Sequence, residues 1–113
     1  MRADIKTAWL EKLRSGTIEQ IRGQLCREDG RCCALGVLVK VMAGQGMVKF
    51  AEPHSGQLPV LDRDGTVCFN FPTTTMLSSV GLDAEVARTV ADRNDDGDGS
   101  SFAEIATYIE KNA

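Results

Sequence analysis

The segment NDDGDGSSFAE at residues 94–104 contains the oxygen-bearing side chains that a calcium site needs. An EF-hand loop supplies ligands from alternate positions, has a glycine at the sixth position and is closed by a bidentate glutamate at the twelfth. With Asn94 as the first ligand, Asp96 and Asp98 occupy the third and fifth positions. The closing ligand does not fit, because Glu104 lies one residue too early. The segment therefore matches the first half of an EF-hand loop and lacks its last ligand.

The same segment has a simpler explanation as the start of a helix. Ser101 and Glu104 have the spacing of a capping box, in which the hydroxyl accepts from the Glu104 amide and the carboxylate accepts from the Ser101 amide. A carboxylate in the first turn also suits the positive end of the helix dipole. We favour this helix-starting turn over a calcium site, and we expect no cofactor.

Cys33 and His54 could form a nucleophile and its base. A thiol at a helix N-terminus has a lowered pKa, and a cysteine there with a histidine on a following strand is the arrangement of papain-like hydrolases and transferases. His54 is the single histidine of the chain. No neighbouring motif supports catalysis, and the apolar run after Cys33 favours a place in the core.

The cysteines could also bind zinc. A set drawn from Cys26, Cys32 or Cys33, His54 and Cys68 is conceivable, but the C-x₂-C spacing typical of structural zinc sites is absent. In a reducing cytosol, cysteines stay as free thiols and pack as small hydrophobic residues. We therefore expect free, buried cysteines and no metal.

Three arginines lie close together in the sequence, at Arg22, Arg27 and Arg31, beside Gln24. Guanidinium groups bind phosphate and other anions through paired hydrogen bonds, so this cluster is a candidate anion site. The acidic pair at 28–29 lies in the same predicted turn. We expect that pair to neutralise the arginines, which favours a solvated, self-paired hairpin.

Length and composition limit the protein to a few classes. A chain of 113 residues with 42% apolar and 26% charged residues is typical of a single globular domain with one core. The net charge of −3 shows no basic stripe, so we expect no nucleic-acid partner. No apolar run approaches the ~18 residues that span a bilayer, and no signal-peptide pattern is present, so we expect a cytoplasmic protein.

Two helices of the first half follow from apolar periodicity. One is predicted from Asp4, as its N-cap, to Arg14, with Trp9 anchoring the core. The other is predicted over 32–43 and is apolar on nearly every side, which indicates a central position. Gly36 inside it costs about 1 kcal/mol relative to alanine, which suggests that another backbone packs closely there.

The second half predicts one hairpin and three helices. An Asp-Gly turn between short β-prone stretches predicts a hairpin around 58–70. Helices are expected over 72–80, over 84–93 with Asp83 as N-cap, and over 101–112. The fold class is therefore α+β, a mostly helical single domain over 1–113 with four to five helices.

The chain as a whole resembles a group of small, uncharacterised proteins of bacteriophage and prophage genomes. The resemblance rests on AWLEKLRSG at 8–16, GQLCREDGRCCALGVL at 23–38 and RNDDGDGSSFAEIATYIEKN at 93–112. It implies a phage-encoded accessory protein in the host cytosol and carries no established activity. It also draws attention to the polar positions of the pattern, which are Gln24, Cys33, Asn94 and Asp95.

We therefore expect a non-enzymatic accessory protein that binds a host protein or a small molecule, with interference in a bacterial defence system as one such role. The candidate binding residues are Gln24, Arg31, Cys33, Asn94 and Asp95. Two alternatives stay open. One is a cysteine-dependent hydrolase or transferase, and the other is a calcium-binding module at 94–104.

Overall fold

The structure, a computed structural model, describes residues 1–96 and 99–113. This part of the chain forms five helices and a small antiparallel sheet of three strands, which confirms the predicted α+β fold. In chain order the elements are α1 (Ala3–Arg14), α2 (Ala34–Gly44), β1 (Lys49–Phe50), β2 (Val60–Leu61), β3 (Val67–Cys68), α3 (Thr74–Val80), α4 (Ala84–Asp95) and α5 (Phe102–Asn112). No helix in the described residues is both long and apolar enough to cross a membrane.

Helix α2 lies at the centre of the molecule, as its all-round apolar sequence predicts. Helix α1 packs against α2 and α5, and α4 packs against α2 and α5 from another side. Trp9 is fully buried, and its indole nitrogen donates to the Ala34 carbonyl at 2.9 Å. The apolar face of α1 is thus fixed against the first turn of α2.

The helix starts differ in part from the sequence predictions. Helix α1 begins at Ala3, and Asp4 is not its N-cap but a first-turn residue that pairs with Arg2 at 2.8 Å. A first-turn carboxylate still stabilises the helix through its dipole. Helix α2 begins at Ala34, two residues later than predicted, with Cys33 as its N-cap.

Gly36 is the close-approach position that the sequence suggests. A Cβ placed on Gly36 would collide with the main-chain carbonyl of Leu25. The backbone of the segment before α2 therefore runs directly over the helix, at a distance that only glycine permits. This contact joins α2 to the segment that carries the arginines.

The predicted hairpin is present, and a third strand extends it. Strands β2 and β3 pair antiparallel, and β1, which the sequence does not predict, pairs antiparallel with the other edge of β2. Asp62 organises the turn, because its Oδ1 accepts from the Asp64 and Thr66 amides at 2.9 and 3.0 Å. Its Oδ2 accepts from the Thr73 hydroxyl at 2.7 Å, which ties the hairpin to the start of α3.

The caps of the last two helices are confirmed. The Asp83 carboxylate accepts from the Glu85 and Val86 amides, and α4 extends to Asp95, two residues beyond the predicted end. At α5, Ser101 and Glu104 form the predicted capping box in both directions. Hydrogen bonds from the Ser101 amide lower the pKa of the Glu104 carboxyl, since they favour its charged form.

The expectation of four free cysteines is wrong for two of them. Cys26 and Cys32 form a disulfide across the short hairpin, while Cys33 and Cys68 are free and buried. The two bonded cysteines are six positions apart, and the chain reverses between them, which brings the sulfurs together. Spacing alone did not reveal the bond, because the turn geometry at 27–31 decides it.

Candidate functional site

The segment before α2 forms a disulfide-closed hairpin that carries two of the arginines. The Arg27 amide donates to the Arg31 carbonyl at 2.9 Å, and the disulfide lies directly beneath this turn. The Leu58 amide donates to the Cys26 carbonyl at 3.0 Å, and the Glu28 amide donates to the Gly56 carbonyl at 3.0 Å. The hairpin is therefore held from below by a covalent bond and from the side by backbone hydrogen bonds.

A polar cleft of about 510 Å³ opens beside this hairpin. Its walls bring together two glutamines, three arginines and one half-buried apolar residue. These residues are Gln20, Ile21, Arg22, Gln24, Arg27 and Arg31. Two of the predicted binding residues, Gln24 and Arg31, are among them.

The three guanidinium groups are held in different ways. Arg22 donates through Nε to the main-chain carbonyl of Asn94 at 3.1 Å. Arg27 makes one long hydrogen bond, from Nη1 to Gln24 Oε1 at 3.5 Å. Arg31 forms an exposed salt bridge with Asp29 at 2.9 Å, and the Arg31 amide and guanidinium lower the pKa of that carboxyl. Neither Arg22 nor Arg27 forms a salt bridge with a described residue.

The prediction that the acidic pair at 28–29 neutralises the arginine cluster is therefore only partly correct. Asp29 pairs with Arg31, but Glu28 is exposed and forms no salt bridge within the described part of the chain. Two of the three positive charges remain without an ionic partner among those residues.

Asn94 supports the cleft from behind. Its side chain is fully buried and makes four hydrogen bonds. Its Oδ1 accepts from Gln20 Nε2 at 2.9 Å and from the Ala34 amide at 3.1 Å. Its Nδ2 donates to the Ile21 carbonyl at 2.8 Å and to Asp95 Oδ1 at 2.9 Å. One side chain thus joins the end of α4 to the cleft wall and to the start of α2.

Asp95 and Gln20 extend this network along the edge of the cleft. Asp95 Oδ1 also accepts from the Gly23 amide at 3.0 Å, so an exposed carboxylate fixes the backbone between Arg22 and Gln24. Gln20 Nε2 donates a second hydrogen bond to the Ser100 carbonyl at 2.9 Å. Both amide hydrogens of Gln20 are therefore used by the protein, and no described residue donates a hydrogen bond to its Oε1.

Cys33 does not have the environment of an activated nucleophile. Only 5% of the residue is exposed, and its sulfur accepts from the Gly36 amide at 3.3 Å. Burial raises the pKa of the Cys33 thiol to about 11, and this outweighs the lowering by the helix-start amides. His54 lies in an exposed turn that is closed by two backbone hydrogen bonds with Gln57. The side chains of Cys33 and His54, both described by the structure, form no hydrogen bond with each other.

Two of the candidate calcium ligands, Asn94 and Glu104, have other structural roles. The Asn94 oxygen is buried and already accepts two hydrogen bonds, and Glu104 Oε1 accepts from the Ser101 amide at 3.1 Å. Asp96 follows α4 on an exposed stretch, and Asp98 lies outside the described residues. Among the described residues, no three His, Cys, Asp or Glu side chains converge as metal ligands would.

The predicted binding residues thus lie in one region of the structure, where they have different structural roles. Gln24 and Arg31 line the cleft, while Cys33, Asn94 and Asp95 lie behind or beside it. Sequence reasoning missed Gln20, which lines the cleft and also bonds the buried Asn94 behind it. No local signal marks Gln20, because its partners Asn94 and Ser100 are 74 and 80 residues away.

Comparison with known proteins gives a family and no activity. No curated protein and no solved structure matches the chain significantly. A family model with the description "Domain of unknown function (DUF8296)" matches residues 1–113. Because that match covers the whole sequence, the chain belongs to the DUF8296 family.

Proposed function

We propose that this protein is a phage- or prophage-encoded accessory protein of the bacterial host cytosol that acts by binding, without catalysis. The observation that carries the proposal is the preformed cleft of about 510 Å³ at the arginine hairpin. Small-molecule sites are concave, of roughly 300–1,000 Å³, and offer a few convergent polar groups. Interference with a bacterial defence system is one role that such a binder would serve.

The shape and chemistry of the cleft favour a small molecule over a host protein. Protein interfaces of stable complexes bury a broad surface with an apolar or aromatic centre. The cleft walls instead consist mainly of glutamine and arginine side chains around Ile21. Capture of a host protein by the same surface is the alternative outcome of the test below.

The buried state of Cys33 supports a non-enzymatic role. Thiol nucleophiles need a lowered pKa and access to the substrate, and Cys33 has a raised pKa and 5% exposure. If purified protein hydrolysed nucleotide, peptide or ester substrates and Cys33→Ala lost that activity, the binding proposal would be abandoned.

A disulfide in the proposed cytosolic setting has to resist reduction. Disulfides are uncommon in reducing cytosol, yet Cys26 and Cys32 are only 1% and 0% exposed. Reduction needs direct attack of a thiolate on sulfur, so burial slows it. Acid quenching of cells followed by alkylation and mass spectrometry measures which thiol state exists there.

The test of the binding role is ligand retention. Tagged protein purified from bacterial cells is analysed by native mass spectrometry, and captured proteins are identified from the same eluate. We expect a small molecule at one copy per chain that is lost on denaturation. The charge-reversed variant Arg27→Glu is the comparison, because it reverses one charge of the cleft wall and removes only the long hydrogen bond between Arg27 and Gln24. Absence of any specific small molecule or protein from the wild-type eluate would contradict the proposal.

A further inference from the structure

Resting on the proposed binding role, we infer that the cleft is an anion site for a phosphorylated small molecule, with Arg22 and Arg27 as its phosphate-binding groups. The first support is the number of unused donors. A guanidinium carries five N–H groups, whereas Arg22 uses one on the Asn94 carbonyl and Arg27 makes one long bond to Gln24. The remaining donors of both side chains have no hydrogen-bond acceptor among the described residues.

The second support is the local charge. The chain carries a net charge of −3, yet Arg22 and Arg27 border one cleft without a salt bridge to any described residue. Two carboxylates of this region make other contacts, since Asp29 pairs with Arg31 and Asp95 accepts from the Gly23 amide and Asn94. Two arginines at one cleft raise the local concentration of anions there.

The third support is that the structure holds both arginine side chains in place. Arg27 lies in the hairpin closed by the Cys26–Cys32 disulfide, and its guanidinium packs against Gly56, where a Cβ would overlap it. Arg22 is fixed by the carbonyl of Asn94. Groups that are already positioned lose less conformational entropy when they bind, which raises affinity.

The composition of the cleft indicates the class of ligand. A phosphate group offers several oxygens to two guanidiniums at once, in the fork geometry that arginine favours. Gln20 Oε1 and the Gln24 amide nitrogen could then hydrogen-bond a hydroxyl or a heterocycle edge, and Ile21 offers apolar contact. The cleft is much larger than one phosphate ion, so an organic phosphate fits it better than the free ion.

The experiment is isothermal titration with three probes: AMP, adenosine and inorganic pyrophosphate. We expect AMP and pyrophosphate to bind at one site, adenosine not to bind, and binding to weaken between 50 and 300 mM NaCl as charge screening increases. Arg22→Gln and Arg27→Gln should each weaken binding about tenfold or more. Arg63→Gln is the matched control, because Arg63 lies exposed in the β2–β3 turn and the same charge is removed.

Several results would overturn the inference. One is no binding of either phosphorylated probe at millimolar concentration, and another is binding that Arg22→Gln and Arg27→Gln leave unchanged. The Arg27 variant removes only a long hydrogen bond, so its folding should be intact by thermal melting, whereas Arg22 also contacts α4. A natural ligand retained equally by wild type and by a variant that combines Arg22→Gln and Arg27→Gln would leave the binding role standing and overturn only the arginine site.

Discussion

Asn94 shows how one side chain can hold several segments together. It is fully buried with all its polar atoms satisfied by Gln20, Ile21, Ala34 and Asp95. We expect Asn94→Ala to lower the free energy of unfolding by about 2–4 kcal/mol, because it leaves the Ala34 amide and Ile21 carbonyl without partners. Urea unfolding followed by circular dichroism measures this loss.

The control for that prediction is another asparagine that makes a local hydrogen bond. Asn112 is exposed at the end of α5 and donates to the Tyr108 carbonyl at 2.8 Å. Asn112→Ala should change the free energy of unfolding by less than about 0.5 kcal/mol. Equal effects of the two substitutions would show that the buried network contributes no more than a surface contact.

The Cys33 thiol gives a second prediction at the residue scale. Burial leaves 5% of the residue exposed and raises its pKa to about 11, so the folded protein holds few thiolates near neutral pH. We expect iodoacetamide to modify Cys33 slowly in the folded protein at pH 8 and rapidly in urea. Peptide mapping measures the rate at which Cys33 is alkylated, with the unfolded chain as reference. Fast labelling of folded Cys33 would revive the nucleophile hypothesis.

The raised thiol pKa also predicts how stability depends on pH. The unfolded thiol loses its proton near 9.0 and the folded one near 11. Below the unfolded pKa the thiol is protonated in both states, so it adds no pH dependence to the free energy of unfolding. Above that pKa the unfolded state binds fewer protons than the folded state and is therefore stabilised relative to it. Stability should therefore fall as the pH rises from 9 to 11. Cys33→Ala should reduce that slope in urea titrations.

At the scale of elements, α2 depends on the close approach of another backbone at Gly36. We expect Gly36→Ala to destabilise the fold by more than about 2 kcal/mol, because the new Cβ meets the Leu25 carbonyl, which is backbone and cannot rotate away. Gly44→Ala, at the other end of the same helix, meets no atom within 4 Å. Its higher helix propensity should make it neutral or stabilising by up to about 1 kcal/mol. Thermal melting of both variants compares them, and a stable Gly36→Ala protein would contradict the packing.

The capping box of α5 gives a further comparison between two serines. Ser101→Ala should cost about 1 kcal/mol, because the Glu104 amide loses its acceptor. Ser78 is exposed within α3, and Ser78→Ala should stay within about 0.5 kcal/mol of the wild type. Chemical unfolding of the two variants measures both. If millimolar calcium raised the melting temperature of the wild type and Glu104→Gln abolished that rise, the metal interpretation of 94–104 would replace the capping one.

The elements themselves were predictable where the signals are local. The helix starts at Asp83 and Ser101 follow from caps within three residues, and Gly36 inside an apolar helix correctly indicated a close backbone. Strand β1 was missed because it has two residues and pairs with β2 ten or more positions later. A strand that short has no periodicity of its own, so only its partner reveals it.

At the scale of the whole molecule, the disulfide predicts a dependence on reductant. A bond between cysteines six positions apart restricts the unfolded chain, which corresponds to about 2 kcal/mol of stability in the chain-entropy model. We expect that loss when the wild type is unfolded in urea with a phosphine reductant. The double variant Cys26→Ala/Cys32→Ala should unfold identically with and without it. Four alkylatable thiols in the non-reduced, unfolded protein would contradict the bond.

The candidate site could be predicted only in part, because its parts are distant in the sequence. Gln24 and Arg31 were identified from charge and pattern, and both line the cleft. That Arg22 and Arg27 form no salt bridge with a described residue could not be foreseen, since acidic residues next to arginines in sequence suggest neutralisation. Which charges meet is decided by the turn geometry, and that depends on contacts across the whole fold.

The long reach of Asn94 has a consequence for synthesis on the ribosome. Its side chain bonds residues that precede it by 60, 73 and 74 positions, so the wall behind the arginines stays incomplete while the chain is being made. If the proposed binding role holds, we expect nascent protein that ends before α4 not to bind the ligand. On the same proposal, a product truncated before Asn94 by an early stop or a proteolytic cut is not expected to compete with the finished molecule for that ligand.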